Sequence, residues 1–302
     1  NHATQPLLGL QPVFDADTDS IYLDGVNDYF NIPAQLMQNI VNQSVPEYSY
    51  LMLFTWHSQI SWERLYDFGH DRSNHMLLTP KSFWGPVMQI RVNHTPNRMG
   101  YNDLYESGTR VLSGEQRLIL SSFRNLDIMT GEIDGIKPVS LNITLDIKDM
   151  QQSVHYIGRG LWNDPALKAN INEVLVFDKV LTECEKGAIY NYLGQKWQRR
   201  DLLDSDNDCI IDVLDSDPDN ASMCLDTDRD GCNDCFSGKF DPSNDGVDTN
   251  GDGYCDITDK DSDGDLYATT TSLTTNGEKH GMNVSTRDSV LDEKLNVTTT
   301  TT

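Results

Sequence analysis

The architecture of the chain turns on Ile171–Trp197, I-N-E-V-L-V-F-D-K-V-L-T-E-C-E-K-G-A-I-Y-N-Y-L-G-Q-K-W. Residues up to Phe177 are mostly apolar or β-branched and read as a strand, and Asp178-Lys179 forms a tight turn. A helix follows. Thr182 can cap it, Glu185 stands three residues later as a capping-box partner, and Ile189, Leu193 and Trp197 recur at helical spacing. The expectation is that this helix closes a β domain by packing that stripe against it.

Upstream, short strand candidates are separated by turns. Residues 20–32 offer Ile21, Leu23, Tyr29, Phe30 and Ile32 around a D-G-V-N-D turn. Further candidates are Tyr48–Trp56, Val87–Val92, Gln116–Phe123, Ser140–Ile147 and Val154–Ile157. Many short strands without βαβ alternation predict an all-β, antiparallel sandwich over residues 1–200. The segments L-D-G-V-N-D-Y-F, G-E-I-D-G-I-K-P-V, Y-I-G-R-G and the strand–turn–helix above resemble the laminin-G-like, concanavalin-A-like domains of secreted proteins. That resemblance implies a jelly-roll sandwich that binds glycans, matrix proteins or neighbouring domains. It does not specify which, because fold does not fix function.

The chain has 302 residues and a net charge of −24. Residues 201–265 contain 21 Asp and no Glu against Arg229, Lys239 and Lys260, so −18 of the −24 lies there. Such a balance argues against nucleic acid, which needs clustered Lys and Arg. No apolar run approaches the ~20 residues that cross a bilayer. The chain begins at Asn1 without a charged and apolar leader, so any export signal is expected to have been removed.

The Asp-rich block repeats. D-S-D-N-D-C-I-I-D-V-L-D starts at 204, D-T-D-R-D-G-C-N-D-C-F-S at 226 and D-T-N-G-D-G-Y-C-D-I-T-D at 248, a period of 22 residues. Oxygen side chains fall at offsets 1, 3, 5, 9 and 12, with offset 7 available as a backbone carbonyl, which is the ligand spacing of a calcium loop. Short Asp and Asn side chains suit a tightly wound loop around a hard dication, whereas Glu would overfill it. The first loop offers Asp204, Asp206, Asp208, Asp212 and Asp215 with the Ile210 carbonyl. The second offers Asp226, Asp228, Asp230 and Asp234 with the Cys232 carbonyl; Ser237 replaces its final acid, so it is expected to be the weaker site. The third is nearly complete: Asp248, Asn250, Asp252, Asp256 and Asp259, with the Tyr254 carbonyl. Partial or shared sites are expected at Asp215, Asp217 and Asp219, at Asp241, Ser243 and Asp245, and at Asp261, Asp263 and Asp265.

A calcium loop flanked by helices and ending in Glu is absent here, which excludes EF-hands. The units resemble thrombospondin type 3 repeats instead, with Cys209 standing where that pattern prefers Gly. The resemblance implies a loop-rich, calcium-stabilised repeat rod over 201–265 that wraps several Ca²⁺ ions with little other core. About 3 to 5 ions would cancel roughly 6 to 10 of the 18 charges. A disordered acidic spacer has similar composition but would not show the 22-residue phase.

Five of the six cysteines lie in this block, as expected of a core-poor module in an oxidising compartment. The expected pairs are Cys209 with Cys224, and Cys255 with Cys232 or Cys235. The rival, a zinc site around C-N-D-C at 232–235, lacks a second C-x-x-C or a nearby His. Sequons at Asn42, Asn93, Asn142, Asn220, Asn283 and Asn296 agree with a secreted or surface location. The Thr-rich tail, 266–302, reads as a stalk, a linker or a strand that pairs with another subunit.

Catalysis is not expected. The only E-x-D, Glu132-Ile133-Asp134, lacks the third acid of the related glycosidase motif and reads better as a hairpin turn. His57, His70, His75 and His94 have no nucleophile motif beside them, and Cys184 is expected to be structural. The leading expectation is a calcium-binding structural and adhesive protein whose partner is a matrix or surface protein or a further copy of itself in a filament. The alternative is a glycan-binding module using Trp56, Trp62, Trp84 and Trp162.

Overall fold

The computed structural model describes residues 3–7, 9–82, 87–91, 113–144, 146–150 and 153–262. Trp84, His94, Asp263, Asp265, the sequons at Asn93, Asn283 and Asn296, and the tail lie outside them. The chain divides into two compact units, residues 1–182 and 183–302.

The first unit contains β1 (Val13–Asp15), β2 (Ser20–Asp24), β3 (Phe30–Asn31), α1 (Ala34–Val41), β4 (Glu47–Trp56), β5 (Tyr66–Asp71), β6 (Asn74–Thr79), β7 (Val87–Arg91), β8 (Gln116–Arg124), β9 (Ile128–Ile133), β10 (Ile136–Asn142), β11 (Val154–Ile157) and β12 (Lys168–Phe177). They form a seven-stranded sheet, β1-β2-β12-β4-β8-β9-β10, and a five-stranded sheet, β3-β11-β5-β6-β7, with antiparallel pairing throughout. This is the expected all-β sandwich.

Strand alternation explains the core. On β4, Tyr48, Tyr50, Met52, Phe54 and Trp56 enter one cluster with Tyr66 and Phe68 of β5, Met76 and Leu78 of β6, and Ile119 and Phe123 of β8. Tyr66 stacks on Phe68 at 4.7 Å, and Tyr50 meets Tyr66 edge-on at 4.6 Å. Trp56 is only 1% exposed and donates its Nε1–H to Glu63, so it is a core residue and cannot stack on a sugar. The E-x-D segment ends a hairpin as expected. Asp134 (φ 54°) and Gly135 (φ 71°) make a two-residue turn between β9 and β10, and Asp134 accepts from Arg117 and from the Leu118 amide.

That turn also sets where β10 lies, four residues ahead of the predicted Ser140–Ile147. Asp146 instead accepts from the Lys148 amide and caps a short 3₁₀ turn at Ile147–Asp149. The helix α1 and the strands β1, β5, β6 and β9 were not expected. The alternation of β5 is masked by Asp67 and Gly69, whose Cβ position would fall 2.2 Å from the Asn74 carbonyl oxygen.

His155 on β11 is 2% exposed and meets Phe68 edge-on at 5.6 Å. Burial pulls its pKa down from 6.5 to about 4. As pH falls from about 6.5 to about 4, the unfolded chain gains a proton there that the folded chain does not. Stability therefore declines across that window, by up to about 3 kcal/mol. Urea unfolding followed by tryptophan fluorescence at stepped pH will register this loss, and His155→Gln will remove it.

Candidate metal centre

The second unit opens with α2 (Glu183–Trp197). Its buried residues are Gly187, Tyr190, Leu193 and Gly194, so the predicted stripe is rotated, with Ile189 and Trp197 only half-buried. The glycines explain the rotation. A Cβ on Gly187 would lie 2.4 Å from the Cys209 carbonyl oxygen, and one on Gly194 would lie 2.9 Å from that of Arg199. The helix thus belongs to the same unit as the Asp-rich block, joined to it by Cys184–Cys209.

The other disulfides are Cys224–Cys235 and Cys232–Cys255. Pairing of Cys209 with Cys224 is therefore corrected, while Cys255–Cys232 is one of the expected alternatives. Sequence spacing hid the first pair because Cys184 reaches the loop only through the close helix contact at Gly187. With all six sulfurs bonded, the C-N-D-C segment offers no thiolates.

The three loops share one hydrogen-bond scheme at the 22-residue period. The amide at offset 6 donates to the carboxylate at offset 1: Cys209 to Asp204 (3.2 Å), Gly231 to Asp226 (3.2 Å) and Gly253 to Asp248 (3.0 Å). The amide at offset 7 donates to offset 5: Ile210 to Asp208, Cys232 to Asp230 and Tyr254 to Asp252. The amide at offset 5 donates to offset 3: Asp208 to Asp206, Asp230 to Asp228 and Asp252 to Asn250. Cys209 has φ 93°, beside 91° for Gly231 and 90° for Gly253, so the non-glycine residue keeps the left-handed turn.

The acid at offset 9 has another task. Asp212 accepts from the amide and hydroxyl of Ser205, Asp234 from those of Thr227, and Asp256 from those of Thr249. The amides of these same acids donate to Leu203, Leu225 and Val247. Asp212 and Asp256 use both carboxylate oxygens in this staple, while Asp234 uses only Oδ2. Asp256 is held below the usual carboxylate range by the Thr249 hydroxyl. Ser205, Thr227 and Thr249 stand in phase at offset 2, a signal that was present in the sequence.

In the first loop, Asp204, Asp206 and Asp208 bring ligand atoms within 4.8 Å of one another. Asp204 Oδ1, Asp206 Oδ2, Asp208 Oδ2 and Asp215 Oδ2 are buried without a donor. Burial raises the pKa of Asp204 and Asp215 and lifts that of Asp208 to about 7, and the neighbouring carboxylates push the same way. In the second loop, Asp226, Asp228 and Asp230 converge, as do Asp228, Asp234 and Asp245. Asp234 Oδ1 and Asp245 Oδ2 are buried without a donor, and burial raises Asp245. Asp245, from the partial D-x-S-x-D-G piece, supplies the acid that Ser237 does not. Ser237 bonds to the Lys239 carbonyl.

The third loop differs from the other two in carrying Asn250 rather than an acid at offset 3. Among the described residues, no three acids of the third loop converge, and Asp248 and Asp252 are exposed. Both Asp248 oxygens are taken by the Gly251 and Gly253 amides, while the Asn250 amide donates to Asp259 and to the Asp261 carbonyl. Asp217 and Asp219 are exposed, and Asp241 accepts from Ser243 in a local turn. These residues join no cluster. Six donorless, buried carboxylate oxygens in two clusters form the donor set of a hard dication, with no sulfur or imidazole among them.

The sandwich has a separate polar site. Asp67, fully buried, accepts from His75 Nδ1 at 3.1 Å and from the Leu161 amide at 2.9 Å, beside Arg64 at 3.6 Å. Arg64 also reaches Asp164. These bonds fix the 158–166 strip, which walls a cavity of about 270 Å³ lined by Asn27, Asp28, Tyr29, Arg159, Trp162 and Asp164 among others. His57 instead bonds Asn170, and His70 bonds Ser153.

No protein-family profile and no curated protein matches the chain. Solved structures similar to it include domain 4 of the GH43 extracellular arabinanase AbnA from Geobacillus stearothermophilus, in complex with arabinotriose. That match has 17% identity, covers 57% of this chain and 76% of that one, and has a TM-score of 0.44. The CBM40 of Ruminococcus gnavus IT-sialidase has 11% identity, coverage of 54% and 91%, and a TM-score of 0.39. The NanB sialidase of Streptococcus pneumoniae has 14% identity and a TM-score of 0.41; the match covers 53% of this chain and only 26% of the enzyme. At these scores the likenesses identify neither a ligand nor an activity.

In metal-free protein, Asp208 titrates near 7 in the fold against 3.8 in its absence, so the fold takes up a proton in that window and gains stability as pH falls from about 7 towards 4. Hydrogen exchange of loop amides in chelator will slow between pH 8 and 5, after correction for the intrinsic pH dependence, and Asp208→Asn will flatten that trend.

Proposed function

We propose that this chain is a calcium-binding structural and adhesive protein of the extracellular space, with a metal-ordered repeat segment attached to a sandwich that binds a partner subunit or matrix protein. The observation that carries this reading is the pair of carboxylate clusters with buried oxygens lacking donors. Leaving such groups uncompensated costs several kcal/mol each, which a bound dication offsets. The in-phase repeat and its resemblance to thrombospondin type 3 units support calcium. Three disulfides and the lack of a helix long and apolar enough to cross a membrane, among the described residues, are compatible with an extracellular setting.

Asp204, Asp206, Asp208 and Asp215 hold the first ion with the Ile210 carbonyl. Asp226, Asp228, Asp230, Asp234 and Asp245 hold the second with the Cys232 carbonyl. Asp248, Asn250, Asp252 and Asp259, with the Tyr254 carbonyl, form a weaker third site that must close on its ligand. Calcium supplies the positive charge that these carboxylates lack. Ser205, Thr227 and Thr249 keep the offset-9 acids turned to the backbone, which sets each loop's width.

Isothermal titration of chelated protein with calcium, paired with circular dichroism, tests this reading. Asp208→Ala and Asp245→Ala will each weaken one site at least tenfold, about 1.4 kcal/mol, while Asp219→Ala changes nothing. An intact chain that binds no calcium at millimolar concentration overturns the proposal.

A second reading, glycan binding by the sandwich, is favoured by the 270 Å³ cavity, where half-buried Trp162 stands beside Asp28, Asn163 and Asp164. Arg72 lies over the Trp162 ring at 4.9 Å, fixing its plane. A glycan array will give hits that Trp162→Ala abolishes if this reading holds, and an array without hits removes it.

A further inference from the structure

The strand β12 is covered unequally. One edge pairs with β4 from Ala169 to Phe177, but on the other β2 reaches only Lys168–Ile171. A register shift between Ile171 and Glu173 marks where that cover stops. Among the described residues, no strand follows on this edge beside Val174–Phe177, and all four are half-exposed. An unpaired central-sheet edge is a template for another strand.

The core is also unfinished at this point. Among the described residues, seven half-buried apolar residues pack on the main cluster, and five of them, Ile21, Phe30, Ile32, Val174 and Val176, line one groove of about 330 Å³. The open edge and the open groove share Val174 and Val176. A strand laid along the edge would therefore bond through its backbone and send every second side chain between the sheets.

We propose that this slot receives residues Leu266–Thr275 of a second copy of the chain, so that copies join head to tail. This rests on the structural reading above, and it names the partner of the sandwich. The segment L-Y-A-T-T-T-S-L-T-T has no charge, Gly or Pro, and it is rich in β-branched residues, although acids stand on either side at Asp265 and Glu278. Either register delivers apolar side chains to the groove: Tyr267 and Leu273 in one, Leu266 and Ala268 in the other. At ~3.3 Å per residue, ten residues are ample for the four-residue edge. Forty residues, 263–302, follow the last described one, and the donor segment lies within them. A donor in the part of the chain after the repeats and an acceptor in the sandwich form a heterologous contact, which propagates as an open filament when its rotation does not close.

The test uses the full chain in millimolar calcium, with light scattering and electron microscopy. Wild type is expected to elongate with concentration. The tail variant Thr270→Pro/Leu273→Asp, altered outside the described residues, is expected to stay monomeric with unchanged circular dichroism. The groove variant Val176→Lys is expected to do the same, and mixing the two will give dimers that do not extend. Excess peptide 266–275 is expected to cut the mean polymer mass at least tenfold, which keeps the test valid if the groove variant misfolds. A tail variant that elongates like wild type overturns the proposal. So does a wild type that stays monomeric, including one whose own tail protects the Val174–Phe177 amides from exchange. Loss of assembly in the tail variant without any calcium binding would sink the calcium reading and leave this one standing; calcium binding with assembly indifferent to the tail would do the reverse.

Discussion

Carboxylate oxygens shut away from water without a hydrogen-bond donor, six of them in two clusters, set the terms for the second unit. Among the described residues its buried apolar side chains are few: Tyr190, Leu193, Leu202, Ile210, Ile211 and the cystines, with Leu225 and Phe240 partly buried beside Ile210. So little burial cannot offset the chain entropy of an eighty-residue segment. Order has to come from covalent cross-links, from side chains that bond their own backbone, and from charge balance. The three disulfides supply the first. The offset-9 staple supplies the second, because an Asp that accepts both an amide and a hydroxyl is pinned to its loop. The third falls to the carboxylates at offsets 1, 3 and 5 and to Asp215 and Asp245, which face one another. The same residue type thus does both jobs, and Asp234 does them at once: Oδ2 takes the Thr227 amide and hydroxyl while the donorless Oδ1 is left to the cluster with Asp228 and Asp245.

The sandwich follows the more common logic, with aromatic side chains from both sheets interlocked around β4. Its departures from that logic are local and polar. Asp67 and His75 sit on the face of the five-stranded sheet away from the core, yet they are fully buried, because the 158–166 strip folds over them. The cost of burying Asp67 is met by His75 Nδ1, the Leu161 amide and the Arg64 guanidinium together, and the strip so anchored presents Trp162. The other departure is the half-covered edge of β12, where apolar residues of both sheets remain partly exposed.

Sequence reading found most of the sandwich because strands such as Tyr48–Trp56 and Gln116–Phe123 are continuous and rich in aromatic and branched residues. It missed β5 and β6, whose outward positions hold Asp67, Gly69 and His75 and break the apolar pattern. It placed β10 late because the Asp134-Gly135 turn was recognised but not used to set the strand's start. In the loops, offsets 1, 3 and 5 were legible from spacing. The bond from offset 2 to offset 9 was not anticipated, since a carboxylate's partner can be chosen only by seeing which hydroxyl lies within reach.

The sequence by itself determined that this is a β-rich chain joined to a 22-residue Asp repeat, because periodicity and residue size act locally. Tertiary structure alone decided that Cys184 joins Cys209 and that Asp245 comes to lie against Asp228 and Asp234. Each of those outcomes depends on which segments come into contact after the chain has turned back on itself, and spacing along the chain carries no record of that.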